Sequence, residues 1–220
     1  MNNVHICSNI FSVRYEQCSA KGVITLSIKD KKIGKEVRIA EVSLDLFREK
    51  GIPKTSIRDI MKRAGFGLGT FYLYFKDKKD LEEKIVLDIF TDLIIKAEAK
   101  VDGIEDNKDK YIAFMNYIID DLMKDPLKLE LISKNTNWAL YAKVENDVRF
   151  NEADTTLKFV LKRYASMFPD KLSEEEQLYI LFLTIQILLM TCKASFEKDS
   201  VLTIEEMKPV LFRIVERILG

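Results

Sequence analysis

Apolar residues recur at intervals of three and four along the chain from Ile33 onward, which is the spacing of one face of an α-helix. The first helix predicted in this way ends near Lys50. Gly51 suits its C-terminal cap, and Pro53 prevents the helix from continuing. The apolar face of this helix consists of Ile33, Val37, Ala40, Leu44 and Phe47.

Two short helices are predicted next. The hydroxyl of Thr55 is expected to cap a helix over Ser56–Ala64, because it can accept a bond from the first free N–H groups. Gly65 then supplies a tight turn, and a second short helix is expected over about Leu68–Phe75. Two short helices around a glycine turn, preceded by a supporting helix, are typical of a helix-turn-helix.

The rest of the chain also predicts helices. Asp77 is expected to cap a long helix that reaches about Lys100, and residues 105–220 predict five more. One of these, over about Ser173–Phe196, is apolar on nearly every side between Leu178 and Met190, so it must be covered on every side. The last helix has an apolar stripe, formed by Met207, Val210, Leu211, Ile214, Val215, Ile218 and Leu219.

The sequence therefore predicts an all-α protein in three parts. Residues 1–28 show no sustained periodicity and are expected to be a poorly ordered N-terminal extension. Residues 29–84 contain the three helices of the helix-turn-helix domain, and residues 85–220 form a larger C-terminal helical domain.

Charge is distributed unevenly although the formal net charge is zero. Residues 29–84 carry 15 basic and 10 acidic side chains, whereas residues 85–220 carry 18 and 24. A basic N-terminal domain followed by an acidic C-terminal domain is suited to binding a polyanionic partner. Ordinary scatter of charges explains the same imbalance, so both interpretations are open.

The segment Gly51–Leu81 resembles the DNA-binding domain of the TetR family of transcriptional regulators. The resemblance extends over roughly residues 33–90, and it implies that residues 29–84 bind double-stranded DNA and that residues 85–220 bind an effector and form a dimer. The matching positions are Gly51, Thr55, Ile60, Ala64, Gly65, Gly69, Thr70, Phe71, Tyr72, Tyr74, Phe75, Lys78 and Leu81.

The resemblance also implies which residues contact the DNA backbone. Thr55 and Lys78 are predicted at helix N-termini, where free N–H groups favour phosphate. With the hydroxyls of Thr70 and Tyr72, they are expected to contact phosphates on either side of the recognition helix. The simpler alternatives are that Thr55 is only a cap and that Tyr72 is an amphipathic core residue.

The remaining residues of the predicted DNA interface are Leu68, Gly69, Leu73 and Tyr74. Gly67 stands where the family commonly has a capping serine, Leu68 replaces a commonly polar residue, and Leu73 replaces a commonly polar or aromatic one. Because apolar side chains contact the thymine methyl group, we expect a pseudo-palindromic operator rich in A·T pairs that is read through methyl contacts and DNA shape.

Four lysines precede or begin the first helix, and two interpretations of them are open. They either form a flexible arm that enters a minor groove or are simply solvated. These residues are Lys29, Lys31, Lys32 and Lys35.

The resemblance implies a homodimer through the last two helices. The two recognition helices then lie roughly 34–36 Å apart, or somewhat more, on the operator. The middle helices are expected to enclose a small hydrophobic or aromatic effector. The predicted pocket residues are Phe114, Tyr117, Trp138 and Tyr141, each of which is alternatively ordinary core.

Residues for catalysis or metal binding are scarce. His5 is the single histidine and the chain contains neither CxxC nor HExxH, so we expect no catalytic site, no metal and no cofactor. The apolar run Leu178–Met190 is shorter than the roughly 20 residues of a membrane span, and three scattered cysteines suit a reducing cytoplasm.

The sequence thus predicts a cytoplasmic, dimeric repressor that a small ligand releases from its operator. The first alternative is a helix-turn-helix regulator without a small effector, controlled by protein partners or by its own level. The second alternative is a helical enzyme whose N-terminal domain resembles a regulator by chance.

Overall fold

The computed structural model describes residues 28–136 and 172–219, and all regular structure in these ranges is helical. The prediction of an all-α fold is therefore confirmed for the described part of the chain. The eight described helices are α1 Ile28–Lys50, α2 Ile57–Ala64, α3 Leu68–Phe71, α4 Lys78–Val101, α5 Asn107–Lys124, α6 Pro126–Asn135, α7 Glu174–Ala194 and α8 Ile204–Leu219.

The chain divides into two compact units, of which the first ends at Ile89 and the second begins at Phe90. The division falls within α4, which runs without interruption from Lys78 to Val101. The predicted extension 1–28 lies outside the described residues except for Ile28, and the predicted elements over 137–171 lie outside them altogether.

In the first unit, α1 packs on α2, and α2 packs on α3. Two ion pairs join α1 to α2 at their exposed edges: Lys50 Nζ lies 2.8 Å from Asp59 Oδ2, and Arg63 Nη1 lies 2.5 Å from Glu49 Oε1. The buried core of this unit contains Ile39, Phe47, Ile60, Met61, Phe71, Phe75, Leu81 and Ile85.

Three helix limits differ from the sequence-based expectation. The first helix begins at Ile28, so the backbone of the lysine run lies within this helix. Ser56, not Thr55, is the N-cap of α2. The second short helix is regular only over Leu68–Phe71, because Leu73 and Tyr74 continue it with turn-like bonds to the carbonyls of Thr70 and Phe71.

In the second unit, α7 packs against α5, α6 and α8. Its N-terminus has a capping box: Ser173 Oγ accepts from the N–H of Glu176, and the Glu176 carboxylate accepts from the N–H of Ser173. Within one chain α7 is not covered on every side, since Tyr179 and Met190 are exposed, so its complete cover stays a prediction that depends on the dimer.

Among the described residues, α7 is the one helix that is long and apolar enough to cross a membrane, judged by length and composition alone. It has 21 residues, so the shorter apolar run within it does not by itself exclude a span. The core helix of a soluble protein has the same properties, and α7 buries Thr184, Leu188 and Cys192 against its neighbours.

Candidate nucleic-acid interface

The N-terminus of α2 is closed by a reciprocal pair of side chains. Ser56 Oγ accepts from the N–H of Asp59 at 3.1 Å, while Asp59 Oδ2 accepts from the N–H of Ser56 at 3.0 Å. The Lys50 ammonium donates to the same carboxylate oxygen at 2.8 Å. Lys50 and Ser56 together hold the pKa of Asp59 well below its usual range. The signal in the sequence was an acidic residue three positions after a serine, which is the pattern of a capping box.

The turn between α2 and α3 requires glycine at one position. Gly65 has φ of 78°, a left-handed conformation that a side chain disfavours. Its N–H donates to the carbonyl of Lys62 at 3.4 Å, and the N–H of Phe66 donates to the carbonyl of Met61 at 3.0 Å. This pair of bonds is the Schellman motif, which ends α2 and fixes the direction of the chain into α3.

The recognition helix α3 is anchored by two aromatic side chains. Phe71 is fully buried and Phe75 is nearly so, and their ring centroids lie 5.4 Å apart. On the other side of this helix, Leu68, Tyr72 and Leu73 are 42%, 58% and 72% exposed. The exposure of Tyr72 does not fit the alternative that it is a core residue.

Two glycines at the start of α3 leave open space beside the backbone. Gly67 is the N-cap and forms no side-chain cap bond. A Cβ atom placed on Gly67 or Gly69 would have no atom within 4 Å apart from its chain neighbours and the backbone of its own helix, and neither residue has a positive φ. Packing and backbone strain therefore do not explain why these two positions lack side chains.

Four other predicted contact residues have different environments. Thr70 and Tyr74 are partly exposed, while Thr55 is only 2% exposed. Lys78 is partly buried and donates to the carbonyl of Ile52. In this structure the side chains of Thr55 and Lys78 are therefore directed to the protein, and their contact with phosphate stays a prediction.

The start of α4 has the predicted cap. Asp77 Oδ1 accepts from the N–H of Asp80 at 2.8 Å, and Asp80 Oδ2 accepts from the N–H of Lys76 at 2.9 Å. Asp77 as the N-terminal cap of this helix is thus confirmed. The sequence did not reveal a further interaction of α1, in which Lys35 Nζ lies 5.6 Å from the centroid of the Phe66 ring.

The predicted effector residues are described only in part. Phe114 is buried and stacks on Tyr111, with centroids 6.3 Å apart. Tyr117 is partly exposed, and burial, followed by the nearby carboxylates of Asp121 and Asp92, raises its pKa. Trp138 and Tyr141 lie outside the described residues, so the pocket as a whole stays a prediction.

The ranges 28–136 and 172–219 contain no group of three or more His, Cys, Asp or Glu side chains placed to hold a metal ion. The cysteine of these ranges, Cys192, is buried and reduced, and burial raises the pKa of its thiol to about 12.

The N-terminal part of the chain is similar in sequence to one family of known proteins. Residues 39–85 match the sequence model of the bacterial regulatory proteins of the tetR family. Over 73 residues the chain is 38% identical to the uncharacterized HTH-type transcriptional regulator YvdT of Bacillus subtilis, a match that covers 33% of this chain and 38% of that protein. Over 65 residues it is 43% identical to the HTH-type transcriptional regulator SAUSA300_2515 of Staphylococcus aureus, covering 28% of this chain and 35% of that protein.

Similarity in fold to solved structures covers most of the chain. A TetR transcriptional regulator from Rhodococcus sp. RHA1 has a TM-score of 0.62 and 18% identity, covering 86% of this chain and 97% of that one. A TetR family regulator from Marinobacter aquaeolei VT8 has a TM-score of 0.56 and 16% identity, covering 87% and 98%. These similar proteins are regulators and not enzymes, in agreement with the predicted absence of catalysis.

Proposed function

We propose that this chain, which belongs to the TetR family of transcriptional regulators, binds a pseudo-palindromic operator as a homodimer and is a repressor released by a small-molecule ligand. The curated relatives match over less than two fifths of their length, so the activity of the whole protein is part of this proposal.

The observation that carries the proposal is the construction of α3. Phe71 and Phe75 hold this short helix on the domain, while Leu68, Tyr72 and Leu73 project from it into solvent. Exposed apolar side chains on a firmly anchored helix lower solubility unless a partner covers them. A major groove accepts an α-helix and offers thymine methyl groups to apolar side chains.

The proposed DNA interface consists of Leu68, Gly69, Thr70, Tyr72, Leu73 and Tyr74, together with Thr55 and Lys78. Hydroxyl groups of Thr70 and Tyr72 are suited to phosphate oxygens, which position a protein on the duplex but carry no sequence information. Leu68 and Leu73 supply the base preference, which we expect to favour A·T pairs.

Selection of bound fragments from the genomic DNA of the source organism tests this function. The purified full-length chain is incubated at moderate salt without added ligand, and the retained fragments are sequenced. We expect enrichment of one short pseudo-palindrome. Binding that is weak, unselective and lost steeply with salt would contradict a sequence-specific regulator, because it reports electrostatic attraction alone.

The base preference gives a sharper test of α3. Leu68→Lys replaces an apolar contact by a cation that favours the acceptors of guanine, so the selected operator is expected to gain G·C pairs at one position of each half-site. Leu202→Lys is the matched control, because Leu202 is 42% exposed like Leu68 but lies in the second unit. An unchanged operator preference in Leu68→Lys would contradict methyl readout by this residue.

The effector is proposed to be a small hydrophobic or aromatic compound held by Phe114, Tyr117, Trp138 and Tyr141. Its binding would favour an arrangement of the two subunits that no longer matches successive major grooves. A screen of such compounds, read as release of the selected operator, tests this step. Operator affinity that no compound changes would favour the alternative regulator, which responds to protein partners or to its own level. A cytoplasmic location, with no membrane partner, follows from this function.

A further inference from the structure

The first helix extends beyond the part of the chain that matches the family. The match begins at residue 39, whereas α1 begins at Ile28, so eleven residues of this helix precede the match. We name residues 28–38 the α1 extension. Because its backbone is helical, the extension places its residues at fixed positions relative to the rest of the first unit.

The α1 extension carries most of the excess positive charge of the N-terminal part of the chain. It has five basic and two acidic side chains, whereas the family match, residues 39–85, has ten and eight. The net charge is therefore +3 within the eleven residues of the extension and +2 within the 47 residues that follow. A local excess of this kind attracts a polyanion to this end of α1.

Three basic residues of the extension lie on one face of α1. Lys31, Lys35 and Arg38 are separated by four and three positions, which is the spacing of a single helix face. Val42 and Leu46 continue the same face, and both are buried. The basic face of the extension thus lies on the side of α1 that packs on the rest of the first unit.

The position of Lys35 shows what lies beside this face. Its Nζ atom is 5.6 Å from the centroid of the Phe66 ring, in the turn between α2 and α3. Phe66 directly precedes Gly67, the N-cap of the recognition helix, and Leu68 is exposed at the start of that helix. The ammonium of Lys35 therefore lies near the point where α3 begins.

The ammonium of Lys35 is available for a further partner. Lys35 is exposed, and among the residues that the structure describes it forms neither an ion pair nor a hydrogen bond. Contact with a ring face leaves the three N–H donors of an ammonium group unbonded. Lys50 and Arg63, by contrast, are each paired with a carboxylate of the domain. Arg38 lies 3.8 Å from a glutamate, but a solvated pair of this kind contributes little.

We propose that the α1 extension is a second DNA-binding element, in which Lys31, Lys35 and Arg38 bind phosphates of the operator beside the major groove that α3 reads. The inference rests on the proposed function, because it adds a contact surface to the same complex. Cationic groups along one helix face, next to the start of the recognition helix, are suited to the phosphates of a duplex. Such contacts set the register of the protein on DNA but carry no sequence information.

Substitutions that remove charge and keep the helix test this surface. Lys35→Gln removes the cation, and glutamine has nearly the helix propensity of lysine, so α1 is retained. Lys35→Arg keeps the charge and should behave like the native chain. Lys100→Gln is the matched control, because Lys100 is also an exposed lysine of a long helix but lies in the second unit. A triple variant, Lys31→Gln with Lys35→Gln and Arg38→Gln, removes the whole basic face.

The affinity of each variant for the selected operator and for scrambled DNA is measured at a series of salt concentrations. For Lys35→Gln, the slope of log K against log salt is expected to be smaller in magnitude by about 0.9, the value for one phosphate that is no longer neutralised. The two affinities should fall by the same factor, about three- to ten-fold near 0.1 M salt. The slope of the triple variant should be smaller by about 2.7, and that of Lys100→Gln should equal the native slope.

A native salt slope in Lys35→Gln overturns the proposal, because it shows that this lysine is simply solvated. A lower ratio of operator to scrambled affinity at an unchanged slope also overturns it, since Lys35 would then only hold Phe66 and thereby place α3. A native chain that selects no operator overturns the proposed function itself. An operator that all variants bind with the native salt slope overturns only the role of the α1 extension.

Discussion

Tyr111 shows what one hydroxyl contributes to the interior of the second unit. Its oxygen lies 2.8 Å from Thr184 Oγ1, which in turn donates to the carbonyl of Leu181 at 2.8 Å. Because the threonine proton is used in that bond, the tyrosine is the donor of the first one. Complete burial raises the pKa of Tyr111, so the hydroxyl stays protonated and the bond joins α5 to α7.

Replacement of Tyr111 by Phe should lower the free energy of unfolding by about 1 kcal/mol, the ordinary contribution of a buried hydrogen bond. Thr184 keeps its bond to Leu181, so no buried proton donor is left unpaired. Tyr72→Phe is the control, because the exposed hydroxyl of Tyr72 should change stability by less than about 0.5 kcal/mol. Urea unfolding followed by circular dichroism measures both, and equal values for the two variants would contradict this account.

Residue roles were predictable where they depend on local sequence. Gly65 in the turn and Asp77 at the start of α4 both follow from propensity and spacing. Thr55 was assigned the wrong local role because Thr55 and Ser56 are both capping residues, and only the chain direction out of the Gly51 turn decides between them. The bond from Lys78 to Ile52 joins residues 26 positions apart, which no local pattern encodes.

At the scale of the helix, the best-defined boundary is the start of α2. Its capping box adds an acidic side chain near the positive end of the helix dipole, and Lys50 bonds that side chain from α1. The pattern S-x-x-D predicts the box, but the partner from α1 depends on how the two helices pack. Helix lengths were less predictable, since α3 stops being regular at Phe71 although its sequence continues with aromatic residues.

The pH dependence of stability tests the cap of α2. The pKa of Asp59 is lower in the folded chain than in the unfolded chain, so its contribution is complete above the unfolded pKa of about 3.9 and is lost as pH falls towards the folded pKa. Asp59→Asn should therefore be less stable than the native chain at pH 7. The difference should narrow progressively below about pH 4, where the native carboxylate is also losing its charge.

Urea unfolding at a series of pH values measures this difference. Asp199→Asn removes an exposed carboxylate from the turn after α7 and should follow the native curve throughout. A constant gap between Asp59→Asn and the native chain from neutral to acid pH would show that geometry, not charge, accounts for the cap.

At the scale of the whole molecule, the chain consists of two compact units that share the residues of α4. The sequence of α4 contains no glycine, proline or change of periodicity at Ile89, so nothing in it marks the division. The two last helices carry apolar side chains on their outer faces, among them Tyr179, Met190, Val210 and Ile214. An apolar face on both helices suits the proposed dimer, because a second copy would cover it.

Charge on this face should prevent dimer formation. Met190→Glu and Ile214→Glu, made together, place four carboxylates in the proposed dimer interface and are expected to give monomers by sedimentation velocity. Val201→Glu is the control: Val201 is 95% exposed but lies in the segment between α7 and α8, so this variant should stay dimeric. A dimer that tolerates the double substitution would exclude these faces as the interface.

The open space beside Gly67 and Gly69 makes the recognition helix a favourable place for redirecting the protein to new DNA sequences. A Cβ atom at either position meets no atom within 4 Å apart from its chain neighbours and the backbone of its own helix, so small side chains can be introduced there without repacking the core. Alanine also stabilises a helix interior by roughly 0.5–1 kcal/mol relative to glycine. Variants with altered operator choice can therefore be selected at Gly69 without loss of folding stability, which separates the evolution of target preference from the maintenance of the fold.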